Sequence, residues 1–357
     1  MTTPSQQPPP LGQEEWIPSP PAGDAHIPWD LYQAFMKACH HHPPPPRKDS
    51  ILPYLVVRAF PGDRGGRPLT DPAVFWESPD IFVLPNQPAA TAPDLPPSPH
   101  GRLEPQVPNT VYAHVWNLGR GPVVNARVEF YWFETTLSWP PDVPPPTFLG
   151  LTHVTLGPRT SQACHTVVHC PVDLVPASEG NVYVGLIVRV FCPFLDALGP
   201  NGFDSSKNRH VGQLNMFVGL GGPQLAIPLR VVTGRGARHT DLTVVQTPPD
   251  QVPWMQLLTR QREHRRRSPA TAPVVGITAP TAARAPGKVG LKLREMLDDA
   301  RRQRLAQQRA FRPSADPKQI TLVARAPDMA DDEALVVRVK QRDDGQVVGG
   351  YTVILMP

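Results

Sequence analysis

With four cysteines in 357 residues, no Asn-x-Ser/Thr sequon and no run near the ~18 apolar residues of a membrane span, the chain lacks the marks of secreted or membrane-embedded proteins. Cys39, Cys164, Cys170 and Cys192 are too few and too scattered for a disulfide framework. The first ten residues are polar and proline-rich, with no apolar leader core. This predicts a reduced, cytoplasmic protein without a transmembrane segment.

Catalytic signatures are missing as well. No Gly-x-Ser-x-Gly elbow, His-Glu-x-x-His pair, phosphate-cradling Gly-x-x-x-x-Gly-Lys-Ser/Thr loop or dinucleotide fingerprint occurs. Gly219, Gly221 and Gly222 follow a strand pattern, but Pro223 and another strand pattern come next, so no helix N-terminus stands ready for a phosphate. The expectation is a non-enzymatic protein with no cofactor and no metal.

Charge is thin too: 18% of residues are charged against a usual ~25%. The net charge is +4, and most of the basic excess lies beyond residue 254, with Arg260, Arg262, Arg265, Arg266 and Arg267 in one eight-residue run. Such a run can bind nucleic acid or an acidic membrane surface by displacing counterions, although it lacks the interleaved aromatic rings of a stacking platform.

What the chain has in excess is proline, 49 residues, or about one in seven against a usual ~5%. Proline fixes φ and removes a backbone donor, so long helices are rationed. Residues 1–49 hold three proline clusters, the last of them, Pro43 to Pro46, followed by Arg47 and Lys48 as in a polyproline II ligand or a stiff spacer. One helical candidate, Pro28 to His42, lies in this arm. Leu31, Tyr32, Phe35, Met36 and Cys39 recur at three- and four-residue spacings and form one apolar stripe. A helix this short is marginal alone in water, so the stripe, Leu31, Tyr32, Phe35 and Met36 above all, is expected to dock on another surface.

From residue 50 to 225 the period changes to two. Val111, Ala113 and Val115 alternate with Tyr112, His114 and Trp116, while Ala126, Val128, Phe130 and Trp132 alternate with Arg127, Glu129, Tyr131 and Phe133. Further strands are predicted at 148–156, 163–170, 182–190 and 211–218. Cys164-His165-Thr166-Val167-Val168-His169-Cys170 has metal-binding residue types, but on a strand its two histidines stand about 13 Å apart and the cysteines face away, so ordinary sheet residues are expected. In Cys39-His40-His41-His42, successive side chains on a helix point ~100° apart, and a frayed helix end is expected.

Phe75-Trp76-Glu77-Ser78-Pro79-Asp80-Ile81, the block 109–132 with its Asn117-x-Gly119 turn, and Asn208-x-x-Val211-x-Gln213-x-Asn215 together resemble bacterial immunoglobulin-like domains of the CARDB type. The resemblance spans roughly residues 51–225. It implies a non-catalytic sandwich used for adhesion, spacing or assembly, in a family whose members are often exported.

Beyond it, strands are predicted at 225–232, 242–247, 320–326, 334–341 and 346–355, the last two joined by Asp343-Asp344-Gly345 as a hairpin. Residues 248–317 read as a helical insertion. One helix starts at Pro248-Pro249-Asp250, a proline- and alanine-rich linker covers 268–287, and a second helix carries Val289, Leu293, Met296, Leu297 and Ala300 on one face.

The sequence therefore predicts an all-β protein: an arm (1–49), an immunoglobulin-like β-sandwich (50–225) and a second β-sandwich-like module (226–357) with a helical insertion. Its expected role is structural or assembly contact with a protein partner or sister subunits. The alternative is an anion-binding adaptor acting through 260–267. On either reading the arginines are solvated, and exposed charges contribute little to stability. Replacing Arg262, Arg265, Arg266 and Arg267 together by Ser should move the melting temperature by no more than about 2 °C; a larger drop in a calorimetric scan would mean that the run is packed or paired.

Overall fold

The computed structural model describes residues 51–69, 73–96, 103–134, 136–138, 145–177, 184–199, 202–220, 224–234, 236–252, 255, 268–270, 273–278, 308–311, 318–325 and 329–357. Leu31, Tyr32, Phe35 and Met36 of the arm, and Arg260, Arg262, Arg265, Arg266 and Arg267, lie outside these residues. The protein is all-β. Among the described residues the helical elements are 3-10 turns at Ala89–Thr91, Gln162–Cys164 and Pro249–Gln251, and Met255 in a helical position.

The first half supplies β1 (Leu55–Val56), β2 (Ile81–Pro85), β3 (Asn109–Asn117), β4 (Val123–Glu134), β5 (Thr147–Leu156), β6 (His165–His169), β7 (Val184–Phe191) and β8 (Val211–Leu214). One sheet is centred on β3, with β6 along one side and β2 and β1 end to end along the other. The second has the order β5-β4-β7-β8, antiparallel throughout. The period-two pattern explains their packing. Val111, Ala113 and Val115 of β3 meet Ala126, Val128 and Phe130 of β4 and Val188 and Val190 of β7 in one buried core. Asn125 at φ 55° marks the bulge where β4 skips a pairing with β5.

The second half supplies β9 (Met216–Leu220), β10 (Gln224–Val231), β11 (Thr240–Thr247), β12 (Val274–Thr278), β13 (Gln308–Phe311), β14 (Lys318–Arg325), β15 (Leu335–Asp343) and β16 (Gln346–Met356). A three-stranded sheet, β10-β14-β12, faces a five-stranded one, β13-β11-β15-β16-β9. Pro228 sits in β10, an edge strand, where a missing ladder donor is tolerated. The β15–β16 hairpin closes on Asp344 (φ 49°) and Gly345 (φ 82°), the two left-handed positions of a tight two-residue turn.

One expectation needs correction. The stretch read as a proline- and alanine-rich linker contains β12, whose Val274–Thr278 pairs residue for residue with β14. The two helices expected in 248–317 lie, apart from the 3-10 turn and Met255, outside the described residues, which there also include short connecting residues, β12 and the edge strand β13. A run such as Val274-Val275-Gly276-Ile277-Thr278 is too short to carry a convincing period, and prolines and alanines on either side mask it. The strand run 211–218 also divides at Asn215. β8 stays in the first sandwich, whereas β9 pairs in parallel with β16 and belongs to the second.

The five-stranded sheet is buried on both faces. Leu335, Val337 and Val339 of β15 and Tyr351, Val353 and Leu355 of β16 point to the three-stranded sheet. Val336, Ile354 and Met356 point the other way and join the core of the first sandwich, together with Met216, Val218, Val252 and Met255. This accounts for β16 ending on an unbroken apolar run, as strands covered on both sides do.

Among these apolar side chains lies one polar joint. Glu77, 1% exposed, receives two parallel 2.7 Å hydrogen bonds from Arg338 (Nε to Oε1, Nη2 to Oε2) and one from the Thr352 hydroxyl. That hydroxyl in turn accepts from the Trp76 indole N–H at 3.0 Å. A Cβ on Gly350 would stand 2.4 Å from the Trp76 ring, so only glycine lets β16 pass beneath it. Removing one partner of a buried pair leaves an uncompensated charge and costs about 3–5 kcal/mol, whereas replacing both by apolar groups is often near neutral. Glu77→Leu alone should therefore lower unfolding free energy by about that amount, and Glu77→Leu with Arg338→Met should restore most of it. Denaturant titration of the three proteins checks this; additive losses would show that the pair is not coupled.

Candidate functional site

The most chemically varied group of side chains lies on the outer face of the β3 sheet. Successive β3 side chains alternate between faces, so Tyr112, His114 and Trp116 lie on the face opposite Val111, Ala113 and Val115; Tyr112 is itself fully buried, and His114 and Trp116 are half-buried. The β3–β6 register sets His169 opposite Tyr112, and His165 opposite Trp116. The result is a ladder of rings: Tyr112 with Phe82 stacked at 5.5 Å and His169 at 5.6 Å, then Trp116 with His114 at 4.2 Å and His165 at 4.5 Å. His114 Nε2 and His165 Nδ1 are 3.0 Å apart.

Asp80, just ahead of β2 and fully buried, anchors this face from below. Its carboxylate accepts from the Arg58 backbone N–H at 2.8 Å, from the Arg58 guanidinium at 2.6 and 3.0 Å, and from the Trp116 indole N–H at 3.0 Å. The Arg58 guanidinium then lies 4.3 Å from the Trp116 ring centre. His114 Nδ1 is 3.8 Å from Asp80 Oδ1. Burial pushes the Asp80 carboxyl up, against the pull of Arg58 and Trp116. Burial, with smaller contributions from Arg58 and His165, pushes His114 down to about 3, so its ring is neutral at physiological pH.

The other motif residues of the first sandwich brace the scaffold. Asn117 accepts from the N–H groups of Tyr54 and Gly119 and donates to the carbonyls of Gly121 and Gly157, tying three loops together. A Cβ on Gly119 would lie 2.4 Å from the Leu52 carbonyl oxygen, which is why the turn needs glycine. Asn215 donates to the carbonyls of Thr136 and Gly350 and so bridges the two sandwiches. Asp196, held below the usual carboxylate range by His210 and Arg209 despite burial, accepts from the Leu55 N–H and fixes β1.

Of the sequence-predicted candidates, the segment 164–170 forms a strand from His165 to His169, as expected. Cys170 is buried in the core and its thiol is pushed up to about 11, chiefly by burial. The strand therefore presents an imidazole, not a thiol, to the site. Sequence spacing along one strand missed the diagonal cross-strand neighbour of His165, which is His114. Its alternation with core valines marks an outward position, but the pairing with β6 depends on register. Among the described residues no three His, Cys, Asp or Glu side chains gather as a metal ion's ligands, and no helix is long and apolar enough to cross a membrane.

The depressed His114 makes stability depend on pH. Its folded value lies below the ordinary 6.5, so between these values the unfolded chain binds a proton that the folded one refuses, and stability falls as pH falls. The slope from this one group is at most about 1.4 kcal/mol per pH unit, from near pH 6.5 down towards pH 3. His114→Phe should flatten this part of a stability–pH curve measured by urea titration; an unchanged slope would assign the acid sensitivity elsewhere.

No protein-family model matches the chain, and no curated protein matches it. Among solved structures, the collagen adhesin of S. aureus aligns with 78% of this chain and 91% of its own length, at 8% identity and a TM-score of 0.19. The CupB6 tip adhesin of Pseudomonas aeruginosa aligns over 78% and 95%, at 9% identity and a TM-score of 0.18.

Proposed function

We propose that this chain is a non-catalytic structural or assembly protein, in which an immunoglobulin-like (CARDB-type) sandwich and a second sandwich act as one body. Contacts with sister subunits or a protein partner are made through the N-terminal arm and segment 248–317. The observation that carries this reading is the double burial of the five-stranded sheet. A body whose halves share a core and a buried Glu77–Arg338 pair holds its shape under load, as a spacer or assembly unit must. The edge of the first sandwich supports it further. β5 is a ten-residue edge strand with no charged residue and no proline among Thr147–Leu156, and Phe148 on it is 50% exposed. Free strand edges of this kind are usually blunted by charge or proline when a protein works alone.

The arm supplies the test. Burying a Leu and a Phe contributes about 1.5–3 kcal/mol each, so replacing Leu31 and Phe35 by Asp should disrupt whatever surface the stripe occupies. The expected outcome is a smaller particle mass by light scattering with an unchanged far-ultraviolet β spectrum. The same mass before and after would remove the arm from assembly. A mass that instead collapses with added salt, while indifferent to Leu31 and Phe35, would favour anion binding through Arg260, Arg262, Arg265, Arg266 and Arg267.

A further inference from the structure

His114 and His165 meet across two neighbouring strands, and their geometry differs from that of two histidines that merely share a sheet face. Their facing nitrogens, Nε2 and Nδ1, are 3.0 Å apart, with ring centres at 5.0 Å. Two metal–imidazole bonds of about 2.0–2.1 Å that span this separation subtend an angle of roughly 91–97° at the ion. That is the cis angle of a square-planar or octahedral site. A tetrahedral site would need the nitrogens about 3.3 Å apart.

Both rings are already oriented. Each lies against the Trp116 indole, at 4.2 and 4.5 Å, and Trp116 is itself fixed by its hydrogen bond to Asp80. The far nitrogen of His114 faces the Asp80 carboxylate at 3.8 Å, on the side where metal-bound imidazoles commonly find a carboxylate that sets the tautomer. The positive charge of Arg58 opposes a dication here, but its guanidinium is bonded to that same carboxylate. His165 is exposed, so solvent reaches the space between the rings and can supply the remaining ligands. Entry of an ion costs the single His–His hydrogen bond.

We propose that His114 and His165 form a two-imidazole site for a divalent transition-metal ion that accepts cis nitrogen ligands, with Ni²⁺ and Cu²⁺ fitting better than Zn²⁺. The site uses Nε2 of His114 and Nδ1 of His165, with water completing the coordination. It does not depend on the assembly reading.

Ni²⁺ is the probe of choice, because thiols reduce Cu²⁺. The full chain carrying Cys39→Ser, His40→Asn, His41→Asn and His42→Asn serves as background, so that the arm's own ligands do not compete. Titration calorimetry should show one saturable Ni²⁺ site with Kd in the micromolar range, and Zn²⁺ binding no more tightly. Ni²⁺ should also quench part of the tryptophan emission, since Trp116 touches both rings. His165→Asn in this background should weaken Ni²⁺ at least tenfold and abolish that quenching; because the His165 ring is exposed, the far-ultraviolet spectrum should stay the same. His114→Asn should do likewise. No saturable binding below about 1 mM, or Ni²⁺ affinity unaffected by His165→Asn, would overturn the site. Tighter Zn²⁺ than Ni²⁺ binding would overturn the cis geometry.

Discussion

The meeting of Glu77 with Arg338 is the contact around which the two halves are arranged. A carboxylate and a guanidinium taken out of water are costly unless each finds full hydrogen-bonding geometry. Here the two-pronged contact, the Thr352 hydroxyl and the Trp76 indole supply it. These groups satisfy one another only if the segment before β2 and strands β15 and β16 keep one mutual position. An apolar joint of the same area would hold the sandwiches together but would tolerate sliding. The polar one specifies register, and the glycine beneath Trp76 lets it close.

The segment from Trp76 to Asp80 serves both the inter-sandwich joint and the ring ladder. Trp76 and Glu77 reach into the second sandwich, Ser78 donates to the Arg58 carbonyl, and Asp80 supports the ring ladder on the outer face of β3. A shift at the inter-sandwich joint is therefore a shift, within a few residues, at Arg58, His114 and Trp116.

The all-β character was legible in the sequence wherever a run was long enough to show its period. The alternations in β3 and β4, and the Asp-Asp-Gly turn between β15 and β16, could be read directly because each signal is local. β12 and β13 could not: they are short, lie among prolines and alanines, and are strands only because β14 and β11 offer free edges. The division of the 211–218 run at Asn215 was invisible for a related reason, since which sheet a strand joins is decided by partners over a hundred residues away. The Trp76–Asp80 motif stood out as a pattern, but its partners Arg338 and Thr352 did not. The alternation sets His114 on the face opposite Val111, Ala113 and Val115, and only the β3–β6 register brings it to His165. The arm stripe and the arginine run, Leu31 to Met36 and Arg260 to Arg267, rest on sequence alone.

The parallel pairing of β9 with β16 has a consequence for the order in which the chain is made. Met216 lies opposite Thr352, so during synthesis β9 leaves the ribosome long before its partner exists. Until β16 arrives, β9 has no strand to pair with, and Phe217, which packs in the second core, has nothing to pack against. Closing so distant a contact is slow, and exposed apolar strands invite wrong partners meanwhile. The eleven residues of β16 thus act as the latch between the two halves, and a nascent chain released before them is a species with an open strand and half a joint.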